Sequence, residues 1–252
     1  MKVRHWPSIV TILAAWLCIP APQSRADAAS DLDDAAARIQ YAFYTQDVRA
    51  LQEGLALVEQ LDATELAPGM KDYYAAYGHW KLAQILTESA TGKVPGTAGK
   101  AAADCERQAK AARTQDGRMA EAYAIEAVCP SLEASLLSSN CADKPLRTAH
   151  EIDPRNPRVQ LIELLCRRKD QKDPAAYTRQ VGELVDAFER APPSRPGKPD
   201  WGHAEALLLL GESHLQRGDS RAARDAIERA LVIAPDYRKA QAMLQTAAAR
   251  PN

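Results

Sequence analysis

The chain has 252 residues, of which 26% are charged, and its formal net charge is −1 with both signs interleaved along the sequence. This balance argues against a nucleic-acid-binding protein, because such proteins usually carry a basic excess on one face. Alanine is abundant, phenylalanine occurs only twice and runs of β-branched residues are missing. The composition therefore predicts an all-α protein.

Residues 1–26 have the pattern of an export signal. A basic start is followed by an uncharged apolar core at 9–19, and small residues predict cleavage after Ala26. An uncleaved membrane anchor is disfavoured, because this core would rise about 16 Å as a helix, short of the roughly 30 Å bilayer core. A lipid-anchored Cys18 is a further alternative, although Leu17 stands where lipoprotein signals have a small residue.

Cleavage would remove Lys2, Arg4 and Arg25 and no acidic residue, which changes the formal net charge of the mature chain 27–252 to −4. We expect a periplasmic or secreted protein that keeps no stable membrane span after cleavage.

The mature chain is predicted to form five helix pairs, because apolar residues recur at spacings of three and four along it. The pairs, followed by a C-terminal capping helix, are expected at 31–66, 70–114, 118–153, 157–190, 201–235 and 237–249. Pro130 is expected to kink the third pair's first helix. Residues 191–200 contain four prolines and a glycine and are expected to be a long loop between the last two pairs.

Small and large residues in the fifth pair fall at a fixed spacing. Gly211 and Ala223 would let two antiparallel helices approach closely, Ile227 would fill the gap, and Pro235 would end the second helix. In the second pair, Tyr74, Tyr77 and Gly78 have the same spacing, whereas Lys81 stands where a large apolar residue is expected.

On these residues the chain resembles the tetratricopeptide repeat (TPR) proteins. The resemblance implies a right-handed superhelix, a TPR-like α-solenoid, whose concave face binds peptides or partner proteins. It implies that inward positions form the partner site, among them Asp72, His79, Glu121, Arg158, Arg168, Glu205 and Glu212. Tyr73 and Trp80 are expected to join this site, because Tyr and Trp often dominate interfaces. Tyr73 and Trp80 are expected to be exposed. A C-terminal carboxylate ligand is disfavoured because the fifth pair contributes Glu205 and Glu212.

Four cysteines follow the signal segment, and an exported protein meets an oxidising compartment. Cys105 and Cys129 are placed at similar distances from one turn, and Cys141 and Cys166 are placed similarly across another. We therefore favour the pairs Cys105–Cys129 and Cys141–Cys166, with other pairings or free thiols as alternatives.

The sequence contains no pattern that indicates catalysis, a cofactor or a metal. The histidines are scattered, with His214 expected in the core. Gly96, Gly99 and Lys100 match a phosphate-binding loop poorly and are interpreted as a flexible loop.

We expect a non-catalytic scaffold for protein–protein interaction in the bacterial cell envelope, which binds a protein or peptide segment and no nucleic acid. The alternative is a small-ligand-binding accessory of an envelope transport or assembly system, with a pocket between the second and third pairs.

Overall fold

The computed structural model describes residues 23–91, 94–132, 141–168 and 171–249. The predicted export signal lies outside the described residues except for 23–26, which belong to the first helical turn. Within the described ranges the protein contains eleven α-helices, a 3₁₀ helix and no strand. The α-helices are α1 (Gln23–Thr45), α2 (Val48–Gln60), α3 (Met70–Glu88), α4 (Gly96–Gln115), α5 (Ala120–Val128), α6 (Asp143–Ile152), α7 (Pro157–Arg167), α8 (Pro174–Arg190), α9 (His203–Gln216), α10 (Ser220–Ile233) and α11 (Arg238–Ala249).

Successive helices form five antiparallel pairs that stack side by side, followed by the terminal helix α11. The predicted all-α, TPR-like α-solenoid is thereby confirmed. Each pair buries the apolar stripe that neither of its helices could bury alone.

The fifth pair shows the expected packing. A Cβ atom added at Gly211 would lie 2.6 Å from Ile227 Cγ1, so the glycine is required for the close approach of α9 and α10. Asp219 caps α10 by accepting a hydrogen bond from Ala222 N at 3.0 Å. The segment with the strongest repeat spacing therefore has the tight helix contact that this spacing predicts.

Two local expectations are wrong. Residues Gly96 to Lys100 form the first turn of α4 and not a flexible loop. Pro130 does not kink a long helix; α5 ends at Val128 and a 3₁₀ helix, Cys129–Leu132, follows. Proline lacks the N–H that an α-helix interior requires, and the shorter 3₁₀ turn accommodates it.

The main departure from an open solenoid is that the stack closes on itself. The last helix, α11, contacts the first, α1, and the rings of Tyr44 and Tyr237 lie 4.5 Å apart. Lys239 Nζ of α11 lies 3.0 Å from Glu88 Oε1 at the end of α3. In the loop before the fifth pair, Gly197 N donates to Asp33 Oδ1 of α1 at 2.9 Å. These contacts join the first and second pairs to the loop before the fifth pair and to the terminal helix.

Candidate functional site

The aromatic residues that were predicted to contact a partner are inside the protein. Tyr73 has no exposed surface and Trp80 is 2% exposed, so the expectation that both are exposed is wrong. Trp201, at the end of the loop before α9, donates from Nε1 to the Tyr73 hydroxyl at 2.6 Å and stacks on Tyr77 at a centroid distance of 5.1 Å. The fifth pair therefore covers these rings and makes them part of the core.

Glu205, another predicted contact residue, is buried in the same region. Its Oε1 lies 3.4 Å from Lys81 Nζ, and its Oε2 accepts a hydrogen bond from the Tyr44 hydroxyl at 2.9 Å. The ammonium of Lys81 also lies over the rings of Trp80, at 3.8 Å, and Phe43, at 4.2 Å. Cation–π contacts and a counter-ion compensate the loss of water around this charge.

We call this region the closure cluster and define it as Phe43, Tyr44, Tyr73, Tyr77, Trp80, Lys81, Trp201, Glu205 and Tyr237. Burial lowers the pKa of the Lys81 ammonium, with Glu205 acting in the opposite direction. Burial also raises the pKa of the Tyr44 hydroxyl, and the Glu205 charge adds to that effect. The cluster joins the first, second and fifth pairs, and its tight packing is that of a structural core.

The remaining predicted polar residues mostly bind neighbouring helices. Asp72 accepts a hydrogen bond from Gln115 Nε2, and Glu121 accepts one from Asn156 Nδ2 at 2.8 Å. Arg168 Nη1 lies 3.0 Å from Glu212 Oε2 across the fourth and fifth pairs. The structure therefore gives these side chains partners within the stack and does not gather them into one surface.

His79 is half-buried, and burial lowers the pKa of its imidazole. The charged groups that act most on it after burial are Asp104 of α4 and Glu59 of α2. His79 is therefore partly covered within the stack. His214 is half-buried, with its Nδ1 atom 3.8 Å from Asp219 Oδ2.

An open cleft lies between the two helices of the fourth pair. At one end Tyr177 of α8 donates from its hydroxyl to Leu164 O of α7 at 3.0 Å. At the other end the guanidinium of Arg158 lies 6.0 Å from the centre of the Phe188 ring. Between these contacts the antiparallel helices leave a cavity of about 1050 Å³, which we call the α7–α8 groove.

Small and polar side chains explain why the groove is not filled. The α7 wall presents Gln160, Leu164 and Arg167, which are spaced three or four residues apart and therefore share one face. Ala187 lies on the α8 wall, where a larger apolar residue would fill the space. Leu184 and Leu164 form a buried floor. This groove was not predicted from the sequence, because it results from the absence of large residues on these faces.

Four arginines line the groove: Arg155, Arg158, Arg167 and Arg190. Its acidic lining residues are Asp153, Glu163 and Glu183. Among the sequence-predicted partner residues, Arg158 lines the groove, whereas Arg168 follows directly after α7 and binds Glu212.

Two disulfides fix the neighbouring helices. Cys105 is bonded to Cys129 and Cys141 to Cys166, with Cα–Cα distances of 5.9 Å and 5.7 Å. This is the pairing that the sequence analysis favoured. The second bond anchors α7, one wall of the groove, to the segment that precedes α6.

In the described ranges, no helix is long and apolar enough to cross a bilayer. No group of three or more His, Cys, Asp or Glu side chains suited to a metal ion occurs there either.

No protein-family model and no curated protein matches the chain. Among solved structures, the chain is similar to YrrB, described as a TPR protein with an unusual peptide-binding site. The TM-score is 0.36 at 15% sequence identity, and the alignment covers 89% of this chain and 98% of that chain. A superposition this loose assigns neither site residues nor a ligand to the present protein.

Proposed function

We propose that the chain is a non-catalytic scaffold that holds a segment of a partner protein in the α7–α8 groove. The observation that carries this proposal is the groove itself, an unfilled cavity of about 1050 Å³ between the two helices of the fourth pair. The predicted aromatic contact residues Tyr73 and Trp80 do not serve this purpose, because the fifth pair already covers them.

The shape of the groove favours a chain segment. Its α7 wall extends from Pro157 to Arg167, which corresponds to about 15 Å of helix and to the length of about five extended residues. The small-ligand alternative placed a pocket between the second and third pairs, whereas this cavity lies within the fourth.

Rigid walls favour binding. The Cys141–Cys166 bond and the packing of α8 against α9 hold both sides of the groove in place. A partner segment then loses conformational entropy on binding, but the scaffold loses little. The affinity for a given contact area is therefore higher.

We further propose that residues 27–252 are the mature protein and that it acts in the bacterial envelope or outside the cell. The export-type leader and the two disulfides support this location, because disulfides persist in oxidising compartments.

Site-specific photo-crosslinking in the envelope fraction of the source cells tests the proposal. A crosslinking residue at Gln180, which lines the groove, is compared with one at Gln245, which is exposed on α11. We expect a discrete crosslinked partner only from position 180.

The same experiment is repeated with Ala187→Trp, which fills the groove, and with Ala242→Trp, an exposed control on α11. We expect Ala187→Trp to reduce crosslinking about tenfold or more, equivalent to about 1.4 kcal/mol or more of binding free energy. Equal crosslinking from positions 180 and 245, or crosslinking that Ala187→Trp leaves unchanged, would contradict the proposal.

A further inference from the structure

We infer that the segment bound in the groove is acidic, and that an Asp or Glu side chain within it binds the guanidinium of Arg158. This inference rests on the proposed function and adds the chemical class of the ligand. It comes from the way in which the charges of the groove are paired.

Arg158 is a largely buried cation without a close partner. Its side chain is 14% exposed, and its nearest carboxylate is that of Asp200, 3.9 Å away on a side chain that is 85% exposed. Its Nε atom is buried and has no hydrogen-bond partner among the described residues. A buried guanidinium has lost its hydration, and N–H donors without acceptors leave that loss uncompensated. A carboxylate that accepts hydrogen bonds from two of these N–H groups would supply the acceptors.

The surroundings of Arg158 fix the guanidinium in place. Its central carbon lies 6.0 Å from the ring centres of both Phe188 and Trp201. Planar guanidinium groups pack well against aromatic rings while their edges donate hydrogen bonds. Arg158 is therefore positioned before a ligand arrives.

The other three arginines of the groove are exposed and can also reach a ligand. In the described part of the chain, the Arg155 and Arg167 side chains have no ion pair or hydrogen bond, and Arg190 has only the exposed Asp186 at 4.0 Å. Guanidinium groups thus line both ends of the α7 wall.

The acidic lining residues offset these cations only in part. Glu163 lies 2.9 Å from His150 Nδ1, and Asp153 accepts a 3.5 Å hydrogen bond from Asn156 Nδ2. Of the three groove carboxylates, only Glu183 has no partner among the described residues. Four arginines against three carboxylates leave the lining with an excess of positive charge, which favours an acidic ligand over a basic one.

The apolar floor of the groove sets a second requirement for the ligand. Leu164 and Leu184 line the groove and are apolar and nearly buried, 7% and 1% exposed. A segment that places an apolar side chain on this floor and an acidic one at Arg158 satisfies both parts of the groove.

An array of ten-residue peptides, acetylated and amidated at their ends, tests the inference with the purified mature protein. Net charge and apolar content are varied independently across the array. Because both ends are blocked, only side chains can supply a carboxylate. We expect retained peptides to be enriched in Asp and Glu together with apolar residues, and their affinity to fall as ionic strength rises.

The variants are Arg158→Gln, Arg158→Lys and the control Arg221→Gln, which removes an exposed arginine from α10. For a retained acidic peptide we expect Arg158→Gln to weaken binding about tenfold or more. Arg158→Lys keeps the charge without the planar fork and is expected to lie between that variant and the wild type. Arg221→Gln is expected to have no effect. Circular dichroism and thermal melting show whether each variant is folded.

An array in which acidic peptides are retained no better than neutral ones, or not at all, overturns the inference. So does an Arg158→Gln protein that is folded and binds the same acidic peptides as tightly as the wild type. Neutral peptides that bind and are lost in Ala187→Trp would overturn the acidic ligand but leave the proposed function in place. The proposed function fails separately, in the crosslinking experiment at positions 180 and 245.

Discussion

The closure cluster lies between helices of different pairs and the α7–α8 groove lies between the two helices of one pair, but the first is filled and the second is open. In the closure cluster, large rings such as those of Tyr77 and Trp201 stack and exclude water. In the groove, Gln160 and Ala187 stand where rings would be needed to fill the space. The size of the side chains between two helices thus decides whether their interface stabilises the fold or remains available for a ligand.

The largest effect is expected from breaking the buried ion pair of the closure cluster. Glu205→Ala leaves Lys81 buried without its counter-ion, which should lower the free energy of unfolding by about 3 to 5 kcal/mol. Urea denaturation followed by circular dichroism measures this loss.

The matched control is Glu212→Ala, on the same helix but in the partly exposed pair with Arg168, where about 0 to 1 kcal/mol is expected. Similar losses for Glu205→Ala and Glu212→Ala would contradict the burial of the Lys81–Glu205 pair away from water.

Removing either disulfide is expected to have the next largest effect. The bonded residues are 24 and 25 positions apart, so loop-closure entropy predicts a similar loss of about 3 kcal/mol for each pair of Cys→Ser changes. Only the loss of Cys141–Cys166 should also weaken ligand binding, because this bond anchors a wall of the groove. Unfolding midpoints measure the loss of stability, and peptide affinities measure the effect on binding. Equal effects of the two disulfide removals on binding would contradict a rigid groove.

Two glycines distinguish a filled interface from open space. Gly211→Leu would overpack against Ile227, only 2.6 Å from a Cβ at that position, and should destabilise the protein by about 1 to 3 kcal/mol. At Gly182 on α8 an added Cβ meets nothing within 4 Å, so Gly182→Ala should instead stabilise by about 0.4 to 1 kcal/mol. Thermal melting of both variants measures this difference in stability. A loss of stability in both variants would contradict the prediction.

The smallest effect concerns pH. Burial lowers the pKa of His79 in the folded protein, so its contribution to stability is complete above the unfolded pKa of about 6.5 and is lost as the pH falls below that value. We expect His79→Gln to lose less stability than the wild type between pH 7.5 and pH 5.5. Urea midpoints at the two pH values provide the comparison, and parallel losses in both proteins would show that His79 does not contribute.

The local repeat signal predicted the helix pairs but not the closure of the stack. Gly211, Ala223 and Ile227 report on contacts within one pair, and such contacts depend on residues close together in sequence. The approach of Trp201 to Tyr73 joins residues 128 positions apart and depends on how the intervening helices pack, which no local spacing specifies. The one sequence signal for it was Lys81, a charge at a position where the repeat requires an apolar residue.

The predicted site residues were inward-facing positions of an open superhelix. Closure buried Tyr73 and Glu205, whereas Asp72, Glu121 and Arg168 bind neighbouring helices. Arg158 is the exception, since it lines the groove. The groove was harder to predict, because a missing large side chain at Ala187 gives no positive pattern in a sequence.

The hydrogen bond from Tyr44 to Glu205 joins residues that are 161 positions apart, and the bond from Trp201 to Tyr73 spans 128 positions. In an ordinary helical repeat array, folding can start at any unit and spread to its neighbours. Here the interior of the first two units is completed by the last one, so synthesis of the chain must pass α9 before Lys81 acquires its counter-ion. Contacts of this range slow folding, and a nascent chain that stops after α8 would leave the aromatic rings of α3 in water.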